Sequence, residues 1–378
     1  MDPAEGGPTE AVWQMSRELQ ALGHLVEVVT LDDPSASFLN GFGLKVHATG
    51  PSRGFYGYNP NLVPWLRKNC AAYDAVIVNG IWRYHAYGTW KALCGSRVPY
   101  FVYPHGMLDP WFKVTYPLKH LKKWLYWPWA DYRVLRDARA VLFTCEDERI
   151  LSRQSFWLYR AHERVVAFGT TTPPGDGARL RQCFLEANPK LAGRRLLLFL
   201  GRIHVKKGCD MLLRAFAGVA ARDPMLHLVL AGPDPTQWVA ALKASAAELG
   251  ISERISWPGL LRDDMKWGAF YAAEAFVLPS HQENFGIAVA EALGCGVPVL
   301  ISNKVNIWHE IAAAEAGLVE ADTDAGTRRL LERWLVMGEA DRQRMSVNAR
   351  AIFTRQFTVS AMAQGLIEAI TVSAAHAG

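Results

Sequence analysis

The sequence predicts an α/β protein made of two parallel-sheet domains, and three observations carry that prediction. A chain of 378 residues is more than one core normally fills. Short apolar runs alternate with helical stretches along its length, the pattern of parallel α/β sheets. That alternation breaks at TTPPGDG, just after Thr170, where Pro and Gly interrupt both periodicities. The expected division is therefore 1–170, a linker at 171–190, and a second domain at 191–358.

In the first half the strand candidates are LVEVVTL, LKVHAT, DAVIVNG, PYFVYPHG, AVLFTCE and RVVAFG. In the second they are RRLLLFLGR, LHLVLAG, ISWPG, AFVLPS and VPVLIS, with a last helical pattern near Val359–Thr371. Apolar residues make up 50% and charged residues 20%, the balance of an ordinary globular protein. No run reaches the roughly 18 apolar residues of a membrane span, and no leader peptide is visible. The six cysteines form no C-x-x-C pair and read as reduced thiols of a cytosolic protein. The net charge of +5 is too mild to name a partner.

Two motifs carry chemistry. In HQENFGIAVAEALG, Glu283 follows a strand and Glu291 lies about two turns into the expected helix. An eight-residue step returns to nearly one helix face, so both carboxylates are expected to reach one ligand. The backbone N–H groups of Asn284, Phe285, Gly286 and Ile287 begin that helix, where an anion is favoured. Carboxylates accept from hydroxyls and a helix start takes phosphate; a nucleotide sugar carries both groups. Upstream, GRIHVKKG places Arg202, Lys206 and Lys207 on a short loop ending at Gly208. Several cations there suit a diphosphate. Neither a Walker loop nor G-x-G-x-x-G is present.

Together GRIHVKKG, ENFGIAVAE with its E-x7-E spacing, CGVPVLIS and PHGMLDPW resemble the retaining glycosyltransferases of family four. Residues 8–30 are similar to that family's first helix and second strand. The resemblance implies the GT-B fold, two Rossmann-like domains facing across a donor cleft, with the helix at 359–375 packing back on the first. It implies a nucleotide-sugar donor, a saccharide or lipid-linked acceptor, and no metal or other cofactor. By resemblance Arg202 and Lys207 neutralise the diphosphate, Glu283 accepts from the transferred sugar, and Glu291 accepts from the ribose. His105, in YPHGMLD, matches the family's first-domain histidine, and Asp109 follows in the same loop. The Gly6–Gly7 loop would close on the donor. One departure stands out: the central strand that normally precedes that loop is lacking, which predicts unpaired neighbouring strands.

A second region, residues 111–136, holds four of the 14 tryptophans, six Lys or Arg and one acid, Asp131. Lysines beside aromatic rings suit an anionic membrane surface better than nucleic acid. Trp111, Lys119, Lys122, Lys123, Trp124 and Trp127 are the expected membrane or acceptor-side residues. The setting implied is cell-surface polysaccharide or lipopolysaccharide assembly, peripheral at the inner face of a bacterial cytoplasmic membrane. His281 is a candidate for the sugar pocket, and His204 matches no family position. The triplet Asp322–Asp324 reads as a solvated turn rather than a metal site, and no ligand cluster has metal spacing. Three alternatives remain: a transferase-like protein that binds nucleotide sugar without turnover, a nucleotide-sugar epimerase of the same fold, and a nucleic-acid-binding protein, which would show steeply salt-dependent binding to oligonucleotides.

Overall fold

The computed structural model describes residues 7–41 and 43–375. The chain divides into two compact units, one up to Gly169 plus the segment from Val359 onward, the other Thr170–Thr358.

Among the described residues the first unit holds six strands, all at the expected places: β1 Glu27–Thr30, β2 Lys45–Ala48, β3 Val76–Asn79, β4 Tyr100–Tyr103, β5 Ala140–Phe143 and β6 Glu163–Val165. β1 and β2 form one parallel pair, and β3 to β6 form a separate parallel sheet in chain order. Among the described residues no strand joins the two sheets. β4 and β5 are buried throughout, which explains their unbroken apolar runs. Val102, Val141, Phe143, Val134 and Leu135 form the centre of this core. Gly7 begins the helix Gly7–Ala21 rather than a loop, and Gly6 lies outside the described residues. That helix packs on Val359–Ala375, whose Gly365 backs onto Val166.

The second unit is one six-stranded parallel sheet. Its strands are β7 Arg195–Leu200, β8 Leu226–Ala231, β9 Ile255–Gly259, β10 Ala273–Leu278, β11 Val299–Ser302 and β12 Gly317–Glu320. Their order is β12-β11-β10-β7-β8-β9. The edge strand β12, sequence GLVE, has no counterpart among the strands read from the sequence. Between Gly317 and Glu320 only Leu318 and Val319 are apolar, too little of a run to show.

From β7 the chain winds outward through β8 and β9, then returns to β7's other side as β10. The winding therefore reverses between β7 and β10. In open parallel sheets, ligands bind at the carboxyl ends of the strands at such a reversal. The expected linker at 171–190 is instead part of this unit. Leu180 and Phe184, one helical turn apart on Gly177–Ala187, are fully buried. They lie against the helix Asp263–Ala272, where a Cβ on Gly268 would come 2.3 Å from the Leu180 carbonyl oxygen. Asp176 caps the start of the first of these helices by accepting from the Arg179 N–H.

Candidate functional site

The loops after β7 and β10 meet at the reversal point, and one glycine lets them do so. Gly208 has φ of 68°, and a Cβ there would stand 2.2 Å from the Pro279 carbonyl oxygen. The Lys206 carbonyl accepts from the His281 N–H at 2.8 Å and from the Ser280 hydroxyl at 3.0 Å. Glu283 is held by backbone too: its N–H donates to Lys304 at 2.8 Å, and its carbonyl accepts from Asn306 at 3.0 Å. The loop following β7 thus anchors Ser280 and His281, and the loop following β11 fixes the Glu283 main chain.

This fixing brings two of the foreseen side chains together. Lys207 and Glu283 form a contact ion pair, with side chains only 14% and 19% exposed. Burial, then the Lys206 and Arg202 cations, pull the Lys207 ammonium below the ordinary lysine range. The Glu283 carboxylate in contact acts in the opposite direction, favouring the charged ammonium. Arg202, just beyond the end of β7, is exposed.

Glu283 lies in the loop and Glu291 on the following helix as expected, though Glu291 is about one turn into it rather than two. The helix runs Ile287–Gly294, so Glu291 is on it but Glu283 is not. The eight-residue helical step therefore does not describe the pair. Gly286, φ 78°, turns the chain into the helix, leaving Glu283 four residues upstream in the loop. Glu291 is buried, and its Oε1 lies 2.8 Å from the Lys266 Nζ. Lys266 went unnoticed in the sequence, where a single Lys in DDMKWGAF carries no motif. Phe285 is buried edge-on against Phe357 at 5.6 Å, so its ring is packing and its backbone alone can serve a ligand. The Asn284 side chain meets Asn306 at 3.4 Å.

His281 turns to Asp322, Nδ1 to Oδ1 2.8 Å, and that carboxylate raises its pKa. The pairing accounts for one member of the Asp322–Asp324 triplet. Among the described residues no group of three His, Cys, Asp or Glu could hold a metal ion. The His204 ring accepts from the Lys206 N–H at 3.1 Å and so stiffens the basic loop.

In the first unit His105 ends the stretch after β4 with φ of 49°, a left-handed conformation that is rare outside glycine. Its Nε2 lies 3.0 Å from Asn79 Oδ1, and its ring stacks on Tyr103 at 5.4 Å. Burial pushes its pKa down to about 4, so the ring is neutral near pH 7. A buried carboxylate missed by the sequence reading, Glu148, holds this loop. It accepts from the Gly106 N–H and, through its other oxygen, from the Thr144 N–H at 2.7 Å. Asp109 is buried and accepts from the Trp111 N–H at 2.8 Å, bracing the turn into the next helix.

The basic aromatic region forms two short helices, Trp111–Thr115 and Pro117–Tyr126, then a turn at Trp127–Trp129. Lys119 and Lys122 are exposed, and Lys119 lies 4.9 Å from the Tyr116 ring centre. Lys123 is partly covered, its Nζ 4.2 Å from the Trp82 ring centre. Trp111 packs edge-on against Phe112 and Tyr116. Trp124 stays 40% exposed. Trp127 contradicts the surface reading: it is 1% exposed and stacks on Phe156 at 4.3 Å. The helix ends at Tyr126, and the tighter turn that follows swings Trp127 into the core. Val114, Leu118, Leu121 and Leu125, by contrast, project outward, each more than half exposed. No helix among the described residues is long and apolar enough to cross a membrane.

Comparison with known proteins agrees with this layout. Residues 6–169 match the model of a glycosyl transferase 4-like domain, and residues 184–352 that of glycosyl transferases group 1. A D-inositol 3-phosphate glycosyltransferase from Mycolicibacterium gilvum is 35% identical over 216 residues, 53% of this chain and 44% of that protein. The chain thus spans less than half the length of that relative. Among solved structures, Anabaena HepE in complex with UDP superposes with a TM-score of 0.78 at 18% identity, covering 98% of this chain and 97% of that one. WaaG, a glycosyltransferase involved in lipopolysaccharide biosynthesis, gives 0.65 at 19% identity, over 97% and 96%. Likeness at this identity shows the fold, which is GT-B-like over the whole chain. In order along the chain, the first unit is thus similar to a glycosyl transferase 4-like domain and the second to the glycosyl transferases group 1.

Proposed function

We propose that this protein transfers a sugar, with retention of anomeric configuration, from a nucleotide-sugar donor to a saccharide or lipid-linked acceptor. The observation that carries the reading is the Lys207–Glu283 pair at the carboxyl ends of β7 and β10. In it one cation and one hydrogen-bond acceptor are held together beside a helix start and beside Arg202. Lys207 and Arg202 offset the charge that grows on the leaving diphosphate, without a metal ion. Glu283 accepts from hydroxyls of the transferred sugar, Glu291 from the ribose, and the Phe285 and Gly286 amides lie on the phosphate side.

The bond between the anomeric carbon and the phosphate oxygen breaks as the acceptor oxygen bonds to that carbon on the same face. The acceptor's proton passes to the departing phosphate oxygen. His105, neutral at working pH, serves as a hydrogen-bonding ring rather than a base. The reading assigns no second carboxylate among the described residues as a covalent nucleophile, so no glycosyl-enzyme is invoked.

The outward leucines at 118, 121 and 125, beside Lys119 and Lys122, support a second element of the reading. This face lies on an anionic membrane, where a lipid-linked acceptor is found. Cell-surface polysaccharide or lipopolysaccharide assembly is the setting proposed, in line with the printed role of WaaG.

The test is thermal stabilisation by UDP, GDP, dTDP and ADP, each with its common sugars, followed by NMR of the product's anomeric configuration. Stabilisation by one nucleotide and a retained anomer are expected. Binding without transfer to any acceptor favours the non-catalytic alternative, a free epimerised nucleotide sugar favours the epimerase, and an inverted product removes the mechanism.

A further inference from the structure

The ends of three strands of the first unit meet at His105. Asn79 is the last residue of β3, the stretch after β4 carries His105 itself, and the helix Glu146–Ser152 after β5 carries Glu148. All three lie at the carboxyl ends of parallel strands, where open α/β sheets bind ligands. Glu148 is buried, and its two oxygens bridge the chain after β4 to the chain after β5. One accepts from the Gly106 N–H at 2.5 Å, the other from the Thr144 N–H and hydroxyl, each at 2.7 Å. That bridge holds the left-handed turn at His105 and Gly106, φ 49° and 73°. The ring is fixed by contacts of its own. Tyr103 stacks on it, Phe168 packs across it at 73°, and Nε2 lies 3.0 Å from Asn79 Oδ1.

A neutral imidazole has one N–H and one bare nitrogen, and the partner of either decides which is which. The amide oxygen of Asn79 has no hydrogen to give, so the nitrogen facing it carries the proton. Nδ1 is then the acceptor. Burial pushes the pKa of the ring down to about 4, so a second proton is absent near pH 7. Among the described residues no group bonds to Nδ1, and His105 is only partly covered. A ring presented in this way takes a hydroxyl hydrogen and gives none through Nδ1.

We propose that Asn79 is a positioning residue that fixes His105 as the Nε2–H tautomer, so that Nδ1 accepts from a saccharide hydroxyl. The inference rests on the transferase reading above and adds to it the direction of that hydrogen bond and the residue that sets it. Asn79 touches the ring and acts through it.

The experiment is ¹⁵N NMR of the full chain labelled at histidine, at pH 7, with the His105 signals identified by their loss in His105→Gln. Ring nitrogens with and without a proton resonate far apart, so the tautomer is read directly. Wild type is expected to show Nε2 protonated and Nδ1 bare; a protonated Nδ1 overturns the inference. Asn79→Leu should bring the two signals towards each other as the tautomers mix, and weaken saccharide binding by about two- to tenfold. Unchanged ring signals in a folded Asn79→Leu protein would overturn the inference too. Asn79→Asp keeps an oxygen and adds a charge, so it should retain the Nε2–H and raise the pKa of His105. If Asn79→Leu does not fold, this variant decides: an unmoved titration means that residue 79 does not govern the ring. UDP-glucose and GDP-mannose, then free glucose and mannose, are added to wild type. Movement of Nδ1 with a nucleotide sugar alone puts the hydroxyl on the donor, and movement with a free sugar puts it on the acceptor side. Binding that leaves Nδ1 unmoved overturns the inference and leaves the donor site standing. Failure of both nucleotide sugars to bind removes the donor reading, and the accepting role of His105 with it.

Discussion

Two lysine-rich segments of this chain look alike in sequence and are physically unlike. At 206–207 the charges sit on a loop pinned by Gly208 and backbone hydrogen bonds, and Lys207 is closed against Glu283. At 119–123 they lie along a helix whose apolar side chains also face outward, and the nearest partners are aromatic rings. The first arrangement places a nearly buried charge where its field is little screened. The second leaves charges in water, where they act together with exposed leucines and tryptophan on an extended surface. Counter-charge and burial, not residue type, separate a site from a surface.

The comparison breaks most sharply at Lys207. Lys207→Ala and Glu283→Ala are each expected to lower turnover by about 10²- to 10³-fold in a donor-transfer assay. Each single change also strands a partly buried charge and lowers the melting temperature. The double variant should melt nearer wild type yet stay inactive. Wild-type turnover in a folded Lys207→Ala protein would show that the two lysine segments do not differ as argued.

Next in size is the contrast between Trp127 and Trp124. Trp127→Ala empties a stacked core position and is expected to cost about 3–5 kcal/mol in chemical denaturation. Trp124→Ala should change stability by about 0.5 kcal/mol or less, while weakening binding to phosphatidylglycerol vesicles. Similar stability losses for both would mean that Trp124 is as much core as Trp127.

Sedimentation with the same vesicles measures the open segment directly. Lys119→Gln with Lys122→Gln should weaken binding by several-fold for each charge removed, and Leu118→Ser with Leu121→Ser should weaken it further. Nucleotide binding should be untouched in both double variants. Vesicle affinity equal to wild type would retire the membrane reading and leave the donor site intact.

The smallest effect is pH-dependent. Asp131 lies beneath the open segment, fully buried, and burial raises its pKa to about 7, against the pull of Lys123. Its folded pKa exceeds the unfolded value, so the stability it contributes is fully present below about pH 4 and lost as pH rises through 7. Asp131→Asn, which keeps an acceptor for the Trp82 N–H, should raise the melting temperature by a few degrees at pH 8 and hardly at pH 4. An equal gain at both pH values would locate the effect in packing rather than charge.

The sequence by itself determined eleven of the twelve strands found among the described residues, most clearly where parallel strands covered on both faces are written as unbroken apolar runs such as YFVY and AVLF. It also marked Arg202, Lys207, Glu283 and Glu291, because cations and carboxylates at strand ends recur in a recognisable order. It did not show β12, where only Leu318 and Val319 are apolar, nor that 177–187 packs as a helix in the second unit. Only the tertiary structure decided which charges meet: Lys207 with Glu283, Lys266 with Glu291, His281 with Asp322. It also decided that Trp127 turns inward while Trp124, three residues before it, stays out. The reason is physical. Periodicity along a chain reports which face of an element is covered, but an ion pair joins residues 25 or 76 positions apart, and its geometry exists only once the loops that carry them are packed.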